Sequence, residues 1–204
     1  FSLPQSVTVN SSGYVYVVDG AGNDRVQVFT PSGEYVRQFS TTLANGIAVN
    51  SSGYVYVTDG YMDRIHVIDP NGKFVNGWGA RGDENGKFFH PLGIAVNASG
   101  YAYVTDSENS RIQVISPTGE YFGQWGSNGN ENGQFSGPWG LAVNNSEYIY
   151  VADQGNNRVQ VFDPNGGYVT QWGTFLYPRG IAVNSSGYVY VADTGNAWIR
   201  IFTD

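Results

Sequence analysis

A chain of 204 residues suits one domain with a large core, and its charged share of 13% leaves Asn, Ser, Thr, Gln and Gly to wet most of the surface. The excess of 17 acidic over 10 basic residues, a net charge of -7, repels phosphate backbones and sets nucleic acid aside as a partner. Cysteine is absent, which removes disulfides and thiolate metal sites, and no apolar run approaches the roughly 20 residues of a membrane span, so membrane insertion is not expected.

Taken in chain order, the first strand signal is SVTVN at 6–10, then YVYVVD at 14–19, RVQVF at 25–29 and EYVRQF at 34–39. The same order returns as GIAVN at 46–50, YVYVTD at 54–59, RIHVI at 64–68 and KFVNGW at 73–78. A third copy follows at 93–97, 101–106, 111–115 and 120–125, and a fourth at 140–144, 148–153, 158–162 and 167–172. The fifth, at 180–184, 188–193 and 198–202, has no fourth segment. Residues 46–57 and 180–191 are identical.

Each segment is short, rich in Val, Ile, Tyr and Phe, and bounded by NSSG or P-x-G clusters, the pattern of antiparallel strands joined by tight turns. No window has helical periodicity. The second segment is apolar on both faces, Val15 and Val17 on one and Tyr14 and Tyr16 on the other, so it must be covered on both. Four-stranded blades packed face to face around an axis provide that cover.

The pattern P-x-G-I-A-V-N, then Y-V-A-D-x-G-N-x-R-V-Q-V-F, then G-x-Y-V-x-Q-W-G resembles the NHL repeat over nearly the whole chain. The resemblance implies a β-propeller whose relatives bind RNA or protein, sense extracellular ligands or, in a lyase branch, act with bound metal. The expected fold is all-β, a propeller of five NHL-type blades with the last blade three-stranded and closure incomplete. The expected blades are 4–43, 44–90, 91–137, 138–177 and 178–204, in one domain over 1–204. A tolerated open edge at Trp198–Thr203 is the first expectation for the incomplete blade. A strand from a neighbouring subunit, and hence self-assembly through that edge, is the second, and a strand supplied by flanking sequence is the remaining outcome.

Asp19 with Arg25, Asp59 with Arg64, Asp106 with Arg111 and Asp153 with Arg158 recur across the loop between second and third strands, and read as one structural ion pair per blade. In the fifth copy Trp198 stands where the arginine would be, which leaves Asp193 without its expected partner. Phe39, Trp78, Trp125 and Trp172 end the fourth strands and read as core between blades. His66 fills a slot held elsewhere by Gln27, Gln113, Gln160 and Arg200, and with His90 as the only other histidine no metal site or cofactor is expected.

Two sets of positions carry the functional expectation. Gln5, Asn45, Leu92, Trp139 and Arg179 differ at one place in the repeat, where they should ring one mouth of the axial channel, and the loop residues Tyr61 and Met62 join them if that loop shares the face. Asn10, Asn50, Asn97, Asn144 and Asn184 each begin an N-x-S sequon and are candidate glycosylation sites for a secreted protein. The leading expectation is a non-enzymatic binding or scaffold module, extracellular or at the cell surface, that presents its variable face to a protein or polysaccharide. A structural subunit of a surface layer, sheath or filament is the alternative, and a metal-dependent lyase or hydrolase at the channel mouth is disfavoured.

Overall fold

The computed structural model describes residues 1–20 and 22–203, and among these it contains 19 strands, with single 3-10 turns at Gln154–Asn156 and Thr194–Asn196 as its only helical segments. Blade 1 comprises β1 (Pro4–Val9), β2 (Val15–Asp19), β3 (Arg25–Phe29) and β4 (Tyr35–Ser40); blade 2 comprises β5 (Ala44–Val49), β6 (Val55–Asp59), β7 (Arg64–Ile68) and β8 (Phe74–Trp78). Blade 3 holds β9 (Pro91–Val96), β10 (Ala102–Asp106), β11 (Arg111–Ile115) and β12 (Tyr121–Trp125). Blade 4 holds β13 (Pro138–Val143), β14 (Ile149–Asp153), β15 (Arg158–Phe162) and β16 (Tyr168–Trp172), and blade 5 only β17 (Pro178–Val183), β18 (Tyr188–Asp193) and β19 (Trp198–Thr203). Within each blade the strands pair antiparallel in chain order.

The turns follow from local chemistry. Asn10 Oδ1 accepts the N–H groups of Ser12 at 3.0 Å and Tyr14 at 2.9 Å, while Gly13 takes the left-handed φ of 81° that closes the hairpin. The equivalent asparagines of blades 2, 4 and 5 cap their turns in the same way. Because strands alternate in direction, these turns lie at one end of the molecule. The loops from second to third strands, and those between blades, lie at the other.

Each blade packs one apolar face on the opposite face of the next. Tyr16, Val18, Val26 and Val28 of blade 1 meet Ile47, Val55, Val57 and Ile68 of blade 2, and the same pairing repeats at the next three boundaries. Three aromatics from inter-blade loops complete these cores: Phe88 and Phe135 are fully buried, and Phe175 is nearly so. Backbone approach sets the spacing at the axis. A Cβ on Gly46, Gly93 or Gly140 would stand 2.2–2.5 Å from the carbonyl oxygen of Leu92, Trp139 or Arg179 on the next inner strand. The Thr58 and Thr105 hydroxyls donate across the same gaps, to Leu92 O at 2.6 Å and Trp139 O at 2.7 Å.

The five blades do not close on themselves. The inner strands pack in the sequence β1, β5, β9, β13, β17, but β17 does not pack on β1 in this way. Val7 is 62% exposed, whereas its equivalents Ile47, Ile94 and Leu141 are 4–6% exposed. On the far face of blade 5, Ile199 and Ile201 are 66% and 58% exposed, although the matching residues of the other blades are buried. Incomplete closure therefore extends beyond a missing fourth strand: blade 1 and blade 5 each present a whole unopposed face.

Candidate functional site

The recurring aspartates are sockets that hold the loops around the axis. Asp19, Asp106, Asp153 and Asp193 are fully buried, and one oxygen of each accepts an N–H at the start of its own blade's inner strand: Ser2 at 2.6 Å, Phe89 at 2.7 Å, Ser136 at 2.8 Å and Leu176 at 2.7 Å. The second oxygen takes the arginine Nε of Arg25 at 2.9 Å, Arg111 at 2.7 Å and Arg158 at 2.7 Å. Burial raises the Asp19 pKa, but the Ser2 amide, Arg25 and Asn23 outweigh it and hold the carboxyl at about 2. These carboxylates are occupied in holding structure.

Two blades depart from the expected pairing. In blade 2 the partner of Asp59 is not Arg64 but His66, whose Nε2 lies 3.1 Å from Asp59 Oδ2, while Arg64 Nε stands 3.3 Å from the imidazole. Burial pushes the Asp59 carboxyl up, and the hydrogen bonds from His66, Thr42 and Met62 more than reverse this and lower its pKa. In blade 5 Asp193 is not left alone, because Arg200 lies 3.8 Å away and Asn196 donates to it at 3.0 Å. The arginine has moved two places along β19, on the same side of the strand.

The inner strands of all five blades line an axial cavity of about 790 Å³ along their whole length, open where β17 and β1 fail to close the ring. Gln5, Asn45, Leu92, Trp139 and Arg179 all line it, and among the described lining residues Arg179 is the only one with an ionisable side chain. Gln5 and Arg179 are exposed, and Asn45 and Trp139 half-buried. Leu92 differs from expectation: it is 3% exposed, an apolar side chain drawn into the packing between inner strands. The Arg179 guanidinium lies over the Trp139 ring, 4.3 Å from its centroid, which holds a cation and an aromatic plane together at the mouth.

Tyr61 and Met62 lie in the β6–β7 loop at the same end and are 74% and 47% exposed. His90 joins this group although the sequence singled it out only as an isolated histidine. A Cβ on Gly60 would meet Asn45 Nδ2 at 2.4 Å and His90 Cδ2 at 2.7 Å, so amide and imidazole flank that glycine together. His90 has a φ of 54° and is held by its own N–H, which donates to Asp63 Oδ1 at 2.7 Å. Its only sequence signal is its place directly before the Pro that opens β9. Among the described residues no group of three or more His, Asp or Glu side chains converges.

The sequon asparagines lie at the opposite end, in the turns after the inner strands. Four of the five donate through their amides: Asn50 to Tyr56 at 3.1 Å, Asn144 to Tyr150 at 3.1 Å, Asn184 to Tyr190 at 3.4 Å, and Asn97 to Glu147 at 3.0 Å.

The family model described as NHL repeat matches residues 1–29, 88–115, 135–162 and 175–202, more than half of the chain. No curated protein is significantly similar in sequence. Among solved structures, virginiamycin B lyase from Staphylococcus aureus matches with a TM-score of 0.72 and 16% identity over 98% of this chain and 69% of that one. A protein of unknown function from Bacteroides thetaiotaomicron gives 0.77 and 17% over 98% and 58%. An auxiliary nutrient binding protein from Bacteroides ovatus gives 0.73 and 20% over 97% and 58%. At these identities the likeness is one of fold, and the chain spans 58–69% of the length of the three.

Proposed function

The chain belongs to the NHL-repeat family, and from that premise we propose that it is a non-enzymatic binding module, extracellular or at the cell surface, that receives a protein or polysaccharide at the loop end of its axial cavity. The fold alone does not choose a function, since a lyase and a nutrient-binding protein share it. The observation that carries the reading is the mouth itself. Five copies keep a common core and diverge at this position, and those five residues line one cavity, with the Leu92 side chain turned into the packing. There the Trp139–Arg179 stack offers area and directed donors, the composition of an interface anchor. The charged group at the cavity is a guanidinium, suited to recognition and not to proton transfer. Low surface charge and five sequons support an extracellular setting.

Screening the purified chain against protein and polysaccharide arrays, followed by titration of Trp139→Ala and Arg179→Ala, tests this. Each variant should weaken the partner found by at least about tenfold, equivalent to roughly 1.4 kcal/mol, with the melting temperature held within about 2 °C. Leu92→Ala should instead cost about 2–5 kcal/mol of stability as a core truncation. Undiminished binding by both mouth variants would remove the proposal.

A second reading, a subunit of a surface layer, sheath or filament, rests on the unopposed faces of blades 1 and 5. They carry the two halves of an interface that the chain itself makes four times. A second copy supplies each missing half.

A further inference from the structure

The repeat allows each blade boundary to be read against the others, and at the turn end of the boundary between blades 3 and 4 four departures coincide. Blades 1, 2, 3 and 5 place Gly13, Gly53, Gly100 and Gly187 at the turn position with φ of 80–85°, but blade 4 places Glu147 there at 63°. Glycine is the residue that fits this left-handed region most easily, so Glu147 gives up a local preference that the other four copies keep. The Glu147 carboxylate reaches across the boundary and accepts the Asn97 amide at 3.0 Å. Phe122 stands where the other copies have Val36, Val75 and Val169; it is 66% exposed and edge-on to Tyr101, with centroids 4.8 Å apart. Gly123 replaces Arg37, Asn76 and Thr170, and a Cβ there would meet nothing within 4 Å.

The fourth departure is the indole of Trp125. Trp78 turns its Nε1 edge toward Gly119 of the next blade, whereas Trp125 turns its Cε3 and Cδ2 atoms toward Gly166. Trp125 Nε1 is left buried without a hydrogen-bond partner among the described residues. Together these changes open a groove of about 420 Å³, within the size range of small-ligand sites. Its lining includes Tyr101, Tyr103, Phe122 and Trp125, with Asn97 and Glu147 among its polar groups. Burial, and then the Glu147 charge, push the Tyr103 phenol upward.

We propose that this groove binds a neutral hexopyranose unit of a carbohydrate. A pyranose has an apolar C–H face that seats on aromatic rings and a rim of hydroxyls that needs amide and carboxylate partners, and the groove supplies both. Glu147 sets the charge: it accepts hydroxyls and repels the carboxylate of a uronic acid. The site lies at the opposite end from the cavity mouth and does not depend on the function proposed there.

Protein made in a bacterial host, where Asn97 carries no sugar, is labelled for observation of its indole N–H signals. It is then titrated with cellotriose, maltotriose and chitotriose, with tri-galacturonate and a proline decapeptide as contrasts. At least one neutral trisaccharide should shift the Trp125 signal saturably and tri-galacturonate should not. Phe122→Val and Glu147→Gly restore residues that other copies use, so both variants fold, and each should weaken binding by about tenfold or more while Trp139→Ala leaves it unchanged. The proposal is overturned if no neutral trisaccharide moves Trp125, if both restoring variants bind as the parent does, if Trp139→Ala abolishes the shift, or if the proline peptide alone produces it.

Discussion

Arg111 uses all five of its N–H donors: Nε on Asp106, and the two terminal nitrogens on Asp83 O, Glu84 O, Lys87 O and Gln124 Oε1, at 2.7–3.1 Å. Arg158 repeats the arrangement on Asp153, Asn130 O, Glu131 O, Gln134 O and Gln171. The carbonyls come from the long connections before blades 3 and 4. Blade 2 follows β4 after only Thr41, Thr42 and Leu43, which supply no such cluster, and there the arginine gives way to His66. Arg111→Ala should therefore cost about 3–5 kcal/mol, because it strands a buried carboxylate and releases a loop. Arg64→Ala should stay within about 0.5 kcal/mol. Urea denaturation of the two variants decides the matter, and equal losses would refute the difference. The Asp–Arg register was legible from spacing. Its failure in blade 2 goes with His66, which takes the slot where Gln27, Gln113 and Gln160 share the aspartate oxygen with the arginine.

At the scale of the element, the strands were readable because each depends on turn chemistry a few residues away, and the 19 segments follow from it. The loop aromatics were not. Phe88 and Phe135 follow Gly79 and Gly126 by nine residues each, a regularity that local propensity cannot interpret because their burial comes from a neighbouring blade. The sequon turns carry a prediction of their own. A glycan on Nδ2 leaves one N–H, enough for the tyrosine partners of Asn50, Asn144 and Asn184, and Oδ1 can go on capping the turn. Asn97 serves both the Tyr103 hydroxyl and the Glu147 carboxylate, so a glycan on its Nδ2 would displace one of the two in a groove lined by aromatics. Peptide mapping after secretion from a glycosylating host should find sugar at one or more of the other four asparagines and none at Asn97. Occupancy of Asn97, or bare peptides throughout, would contradict this.

Over the whole molecule, stability is a sum of nearest-neighbour interfaces, and the two end blades each lack one. On the second reading these two faces dock on one another, and a face of one kind set on a face of the other propagates head to tail. Light scattering should show the mass rising with concentration, while Val7→Asp and Ile199→Asp should each remain monomeric alone yet form a dimer when mixed, since each retains the face that the other has lost. A parent chain that stays monomeric, or a mixture that does, would remove self-assembly. The open arc was only half visible in the sequence: the missing fourth strand could be counted, but the sparse packing of β17 on β1 could not be read from any one repeat. The identical stretches 46–57 and 180–191 acquire a meaning from this. Ala48 and Tyr56 are buried, whereas Ala182 is exposed and Tyr190 only half-covered. One twelve-residue peptide thus occupies two degrees of hydration within a single molecule, so the chain carries its own reference compound, and any difference in chemistry between the two stretches measures the neighbouring blade with composition held constant.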